Sequence, residues 1–303
     1  MFEYEVTIDR CSDIVKGRPI VAFMTTAQPN PQTPDPQKIE QQWRAGLADW
    51  AIPEHIMAQA PTNPWIHPVG QFTVVGPIAD SPSHLAARRA LPPGGSVLDI
   101  GCGGGRAALA LIPPAGHIIG VDHQPGMLAA FAEAADARGV THEEILGDWP
   151  DVAHRTPSAD VVVCHHVAYN VADLGAFITE LSAHAHHRVV IELPMQHPLT
   201  WMNPLWKHFW DIDRPTTPTA HDALAIIRGR GYDAHLEQFA ETGSRSNALD
   251  PQAQAEATCV RLCLPIDRTH EVIDAMSAND ESTHPSSSRP VATIWWDTEA
   301  GRT

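Results

Sequence analysis

The sequence predicts a doubly wound α/β fold, three layers deep, built on a mostly parallel sheet. Three observations carry that reading. Short β-branched runs alternate with alanine-rich helical stretches from about residue 95 to 195, and strands separated by helices cross over as right-handed parallel βαβ units. The first run, VLDI at 97–100, empties into the glycine cluster GCGGG at 101–105, a strand-to-helix turn whose backbone N–H groups can approach a ligand. The chain of 303 residues, 43% of them hydrophobic, is long enough to bury one full core with additions.

Taken in order, residues 1–36 read as an extended leader and proline-rich linker, with one alternating patch, YEVTI, before AQPNPQTPDPQ. Residues 37–93 read as an N-terminal helical segment, because QKIEQQWRAGLADW places Ile39, Trp43, Leu47 and Trp50 three or four apart. The core domain is assigned to 94–298, with insertions at 197–220 and 247–290. Its strands are SVLDI (96–100), HIIGVD (117–122), THEEILGD (141–148), ADVVVCHH (159–166), RVVIELP (188–194), YDAHLEQFA (232–240) and VATIWW (291–296). Helices are expected over GRAALALI, closed by Pro113 and Pro114, over GMLAAFAEAADARG, ADLGAFITELSAHA and HDALAIIRGRG, and through 251–277. In the first insertion, which follows the fifth strand, Trp201, Trp206, Phe209 and Trp210 read either as a lid over an apolar acceptor or as a satellite core.

Composition narrows the partners. Twenty Lys and Arg against 36 Asp and Glu leave a formal charge of -16, which argues against a general electrostatic grip on nucleic acid or anionic lipid and favours a small molecule. Cys11, Cys102, Cys164, Cys259 and Cys263 are odd in number and form no CxxC pair, so with an acidic start the reading is the reducing cytoplasm. No apolar run approaches a membrane span. The histidine-rich HAHHR (184–188) reads as the end of a helix and lacks standard zinc spacing, so no metal is expected. Nothing in the sequence fixes an oligomeric state.

A dinucleotide loop wants GxGxxG, and here Arg106 stands where the third glycine belongs. The pattern present is D-x-G-x-G-x-G, on Asp99, Gly101, Gly103 and Gly105. A carboxylate there repels a pyrophosphate but suits the ammonium end of an amino acid. VLDIGCGGG resembles the first motif of class I S-adenosylmethionine-dependent methyltransferases, and the whole chain resembles actinobacterial methyltransferase-domain proteins of unassigned substrate. The resemblance implies a Rossmann-like, seven-stranded sheet with an antiparallel last strand, and S-adenosylmethionine as cofactor. It implies that Asp99, Gly101, Cys102, Gly103 and Gly105 line the cofactor loop and that Asp122, with His123 beside it, takes the ribose hydroxyls. By the same resemblance Gly147, Asp148 and Trp149 meet the adenine, and Cys164 and His165 close the pocket. The implied activity is methyl transfer to a small-molecule acceptor, with the protein positioning the reactants and excluding water.

His166 and Tyr169, just past the fourth strand, are the candidate acid or base. Two alternatives stay open: a cofactor-binding protein without catalysis, and an NAD-dependent oxidoreductase. Because the leader stands outside the βαβ rhythm, a chain begun at Met24 is expected to keep its melting temperature and cofactor affinity, checked by thermal melting and calorimetry.

Overall fold

The computed structural model describes residues 35–65, 74, 76–242, 250–278 and 288–298. Residues 1–34 of the leader and the polar stretch 279–287 lie outside the described residues, while Pro36, read as linker, is the first residue of a helix. Seven strands form one sheet: β1 Ser96–Ile100, β2 His117–Asp122, β3 Thr141–Leu146, β4 Ala159–His165, β5 Ala185–Pro194, β6 His235–Thr242 and β7 Ser288–Asp297. Their order is β3-β2-β1-β4-β5-β7-β6. Only β7 runs antiparallel to its neighbours, β5 and β6. The chain winds outward from β1 through β2 to β3, then returns to β4 on the other side of β1, and that reversal opens a crevice at the carboxyl ends of the two central strands.

Alternation along the strands splits the core in two. Leu98, Ile100, Val162, Ile191 and Trp296 face a cluster that includes Trp43 from α1 (Pro36–Ala48) and Phe177 from α6 (Leu174–Ala183). Val97, Val161, Val163 and Val190 face the opposite cluster. There they meet α3 (Pro82–Ala90), the short α4 (Arg106–Leu109) and α5 (Pro125–Asp136). Such strands are apolar throughout because helices cover both sheet faces.

Three elements differ from the sequence reading. The helix after the glycine loop stops at Leu109, since Pro113 and Pro114 cannot donate to a continued helix. The helix expected over 251–277 is two, α9 (Pro251–Arg261) and α10 (Thr269–Ala278), separated around Pro265 for the same reason. Strand β5 begins at Ala185, where pairing with Ala159 starts, so His186 and His187 lie on a strand and only His184 caps α6.

The two insertions pack together into a third cluster. Trp206 and Leu205 of α7 (Asn203–Trp210) meet Met202, Cys259, Leu262 and Val272, with Ile56 of α2 (Glu54–Met57) completing the group. The Trp210 indole donates to the Leu262 carbonyl at 2.8 Å. This packing matches the satellite-core alternative for the aromatic residues. Trp206 is only 3% exposed, so Trp206→Ala is expected to cost about 3–5 kcal/mol, read as an earlier melt. A loss below about 1 kcal/mol would show that the cluster does not unfold with the sheet.

Candidate active site

The glycine loop sits over the carboxyl ends of β1 and β2. Gly101 and Cys102 both donate their N–H to the Val121 carbonyl, at 2.9 and 3.0 Å. Gly101 has φ +68°, and a Cβ there would overlap Val167, so the turn out of β1 accepts only glycine. Gly105 donates to the Cys102 carbonyl at 2.8 Å and starts α4.

Two carboxylates hold this loop. Asp122, at the end of β2 and 8% exposed, accepts from the Gly103 N–H at 3.0 Å through Oδ2 and from the Gln124 N–H at 2.9 Å through Oδ1. Each oxygen has a second lone pair. Asp99 lies beneath, 1% exposed, and accepts from the Ala108 N–H at 3.1 Å, tying β1 to α4. Burial pushes its carboxyl up to about 7; the Ala108 hydrogen bond opposes this and the Asp122 charge adds to it. Burial, with Asp99 and Asp122 nearby, also lifts the Cys102 thiol well above its ordinary range.

The edge formed by β2 and β3 brings the next predicted residues together. His123 Nδ1 lies 3.9 Å from Asp122 Oδ1 and 3.8 Å from Asp148 Oδ1. Gly147 donates to the Asp122 carbonyl at 3.0 Å; a Cβ on it would overlap Val152, so this turn too requires glycine. Asp148 is exposed. Trp149 is half-buried, edge-on to His184 with ring centroids 4.8 Å apart, and its buried indole N–H has no hydrogen-bond partner among the described residues.

At the end of β4 the predicted residues separate. Cys164 faces the core, and burial lifts its thiol well above the usual range. Tyr169 is 6% exposed, stacks on Trp43 at 5.7 Å and donates its O–H to the Pro194 carbonyl at 2.8 Å. Burial raises its phenol further from ionisation. His165 and His166 instead meet Glu192 of β5: His166 Nε2 is 3.1 Å and His165 Nδ1 3.8 Å from Glu192 Oε1. Ser81, at the start of α3, donates to Glu192 Oε2 at 3.1 Å, and His84 stacks on His165 at 5.6 Å. Sequence reasoning missed Glu192, Ser81 and His84; the available signal was one acid inside the apolar strand RVVIELP.

Among the described residues, no group of three or more His, Cys, Asp or Glu is placed to hold a metal ion, and no helix is long and apolar enough to cross a membrane.

Residues 97–187 match the family described as a methyltransferase domain. These residues, which supply the glycine loop and the first four strands, are similar to the methyltransferase domain of that family. The chain is 35% identical over 82 residues to the ubiquinone biosynthesis O-methyltransferase of Azorhizobium caulinodans, covering 27% of this chain and 32% of that protein. It is 34% identical over 97 residues to an uncharacterized protein of Haemophilus influenzae, covering 32% of this chain and 36% of that one. The matched stretch thus spans about a third of these relatives. The YcgJ protein of Bacillus subtilis shares the fold, with a TM-score of 0.50 and 17% identity over 71% of this chain and 97% of that one. S-adenosylmethionine is the cofactor of this family.

Asp99 makes stability pH-dependent in a defined direction. Its folded-state value, about 7, lies above the ordinary 3.8, so the unfolded chain releases this proton first and the contribution of Asp99 is lost as pH rises from about 4 through 7. Asp99→Asn removes the titration. In urea unfolding at pH 4.5, 6 and 8, the parent is expected to lose stability relative to the variant across that window. A pH-independent difference between them would contradict the raised value.

Proposed function

We propose that this methyltransferase domain transfers a methyl group from S-adenosylmethionine to a small-molecule acceptor. The observation that carries the reading is the carboxylate of Asp122, fixed at the crevice by Gly103 and Gln124 with lone pairs to spare for a diol. When bound, the cofactor supplies an electrophilic methyl group on a sulfonium. The loop of Gly101, Cys102, Gly103 and Gly105, supported from below by Asp99, holds its amino-acid end; Asp122 and His123 hold the ribose. Gly147, Asp148 and Trp149 take the adenine, a site that fits the orphaned indole N–H of Trp149, and Cys164 and His165 form the wall by β4. His166 serves the acceptor side. Tyr169, its O–H committed to Pro194, belongs to the packing.

The charge of -16 supports a small acceptor over a polyanion. Cytoplasmic placement is proposed on the free, buried Cys102, Cys164, Cys259 and Cys263.

Titration calorimetry tests the proposal. S-adenosylmethionine and its demethylated product are expected to bind, and NAD is not; tighter binding of NAD would assign another class. Asp122→Ala is expected to weaken binding by roughly tenfold to a hundredfold, the worth of one to two charge-assisted hydrogen bonds. A folded Asp122→Ala variant that binds like the parent places the ribose elsewhere.

A further inference from the structure

We infer that Arg214 forms an anion subsite for the methyl acceptor, and that the acceptor is a small, largely apolar molecule carrying one carboxylate. This rests on the methyltransferase reading above. The guanidinium of Arg214 lies between two indoles, its Cζ 5.4 Å from the ring centroid of Trp50 and 5.0 Å from that of Trp206. Nη1 donates to the Ala51 carbonyl at 2.9 Å and Nη2 to the Trp50 carbonyl. A guanidinium has about five N–H donors to place. These carbonyls take one from each Nη, the Nε hydrogen is covered and has no partner among the described residues, and the second hydrogen on each Nη is uncommitted.

In a chain with 36 Asp and Glu, this charge is left without an acid. Among the described residues Arg214 makes no ion pair: Asp211 and Asp213, its neighbours in sequence, hold Lys207 at 2.9 and 3.2 Å. Asp49, which precedes Trp50, is exposed. Burial lowers the guanidinium from its ordinary value, and no carboxylate opposes the shift. His197 stacks on Trp50 at 3.8 Å, but burial, with Arg214 nearby, pushes it down to about 4. That ring is neutral, so the positive charge beside Trp50 rests on Arg214. A half-buried cation between apolar rings carries a desolvation cost that an incoming anion offsets, and a single such cation matches a monoanion better than a phosphate dianion.

The place of Arg214 in the fold ties this anion to the acceptor and not to the cofactor. Residues 197–218 leave the carboxyl end of β5 and return to it: Gln196 pairs with Thr219, and the Ala220 N–H donates to the Met195 carbonyl at 3.0 Å. The loop is therefore rooted two strands from β1, about 10 Å across the sheet. It lies on the far side of β1 from β2 and β3, whose ends carry the loops proposed for the ribose and adenine. The backbone around Arg214 is pinned on both sides. Asn203 Nδ2 donates to the Arg214 and Pro215 carbonyls at 3.3 and 3.0 Å, and the Trp50 indole donates to the Thr217 carbonyl at 2.8 Å. A guanidinium held this way loses little freedom on binding. A carboxylate can take two parallel N–H bonds from it, while the flanking indoles offer rigid apolar area to the body of the molecule.

The test titrates benzoate, phenylacetate, benzamide, phenylacetamide and phenyl phosphate into the full chain by calorimetry, with and without S-adenosylhomocysteine. Each acid is expected to bind about tenfold tighter than its amide, the worth of one charge-assisted hydrogen bond, and phenyl phosphate no tighter than the acids. Arg214→Gln is expected to bring each acid to within about twofold of its amide, with affinity for S-adenosylhomocysteine within about threefold of the parent. Arg214→Lys, which keeps the charge but loses the fork, should keep part of the preference. Should Arg214→Gln fold poorly, Arg214→Lys and the preference of the parent itself carry the test. Amides that bind as well as the acids, a preference that survives Arg214→Gln, no binding of either acid to the parent, or tighter binding of phenyl phosphate overturns the inference. So does competition between the acids and S-adenosylhomocysteine, which would place Arg214 in the cofactor site. Failure of S-adenosylhomocysteine to bind overturns the methyltransferase reading instead, and the titrations without it still decide whether Arg214 holds a carboxylate.

Discussion

One carboxylate organises the crevice. Asp122 is the last residue of β2, and its two oxygens hold the backbone N–H of Gly103, in the loop that follows β1, and of Gln124, at the start of α5. Two segments that belong to different βαβ units are thereby fixed to one point. Its own carbonyl accepts from Gly147, adding the turn after β3. Three loops at three strand ends therefore share Asp122 as their reference, and each is short enough that a shift at this residue moves all of them.

Asp99 shows how the protein tolerates a second acid so close by. It is buried under the loop, and the nearby charge of Asp122 adds to the burial that raises its carboxyl. A protonated or partly protonated Asp99 avoids two adjacent negative charges in a poorly solvated layer. A hydrogen bond to Ala108 preserves its structural duty in either state.

How much of this was legible in the sequence depends on distance along the chain. The strands at the centre of the sheet could be read, because β-branched residues between helical stretches are a local signal. Gly147 and Gly101 could be read as turn residues, since a strand end followed by glycine states its own backbone requirement. The His166–Glu192 pair could not: the partners are 26 residues apart in sequence and meet only because β4 and β5 pair in register, with His165 opposite Glu192. Ser81 reaches the same carboxylate, and His84 stacks on His165 beside it, from the start of a helix that precedes the sheet altogether. Tyr169 carries an acid or base group in name, but its availability is decided by Pro194 and Trp43, which no local pattern reveals. The residues whose local geometry the sequence announced are those held within their own loop, and those it did not announce come together through tertiary contacts.

The antiparallel insertion of β7 between β5 and β6 has a consequence for the order in which the molecule can be completed. Arg188 pairs with Asp297, and their side chains lie 109 positions apart. Until that distant segment emerges, the apolar residues Val189, Val190, Ile191 and Leu193 stand at the open rim of a growing sheet, and an unpaired rim of this kind is a template for joining another chain. The α7, α9 and α10 cap is made before β7 is, so the ribosome releases the segment that seals the sheet last. Closing so long a loop is slow, and during synthesis the vulnerable species is a sheet that still lacks β7.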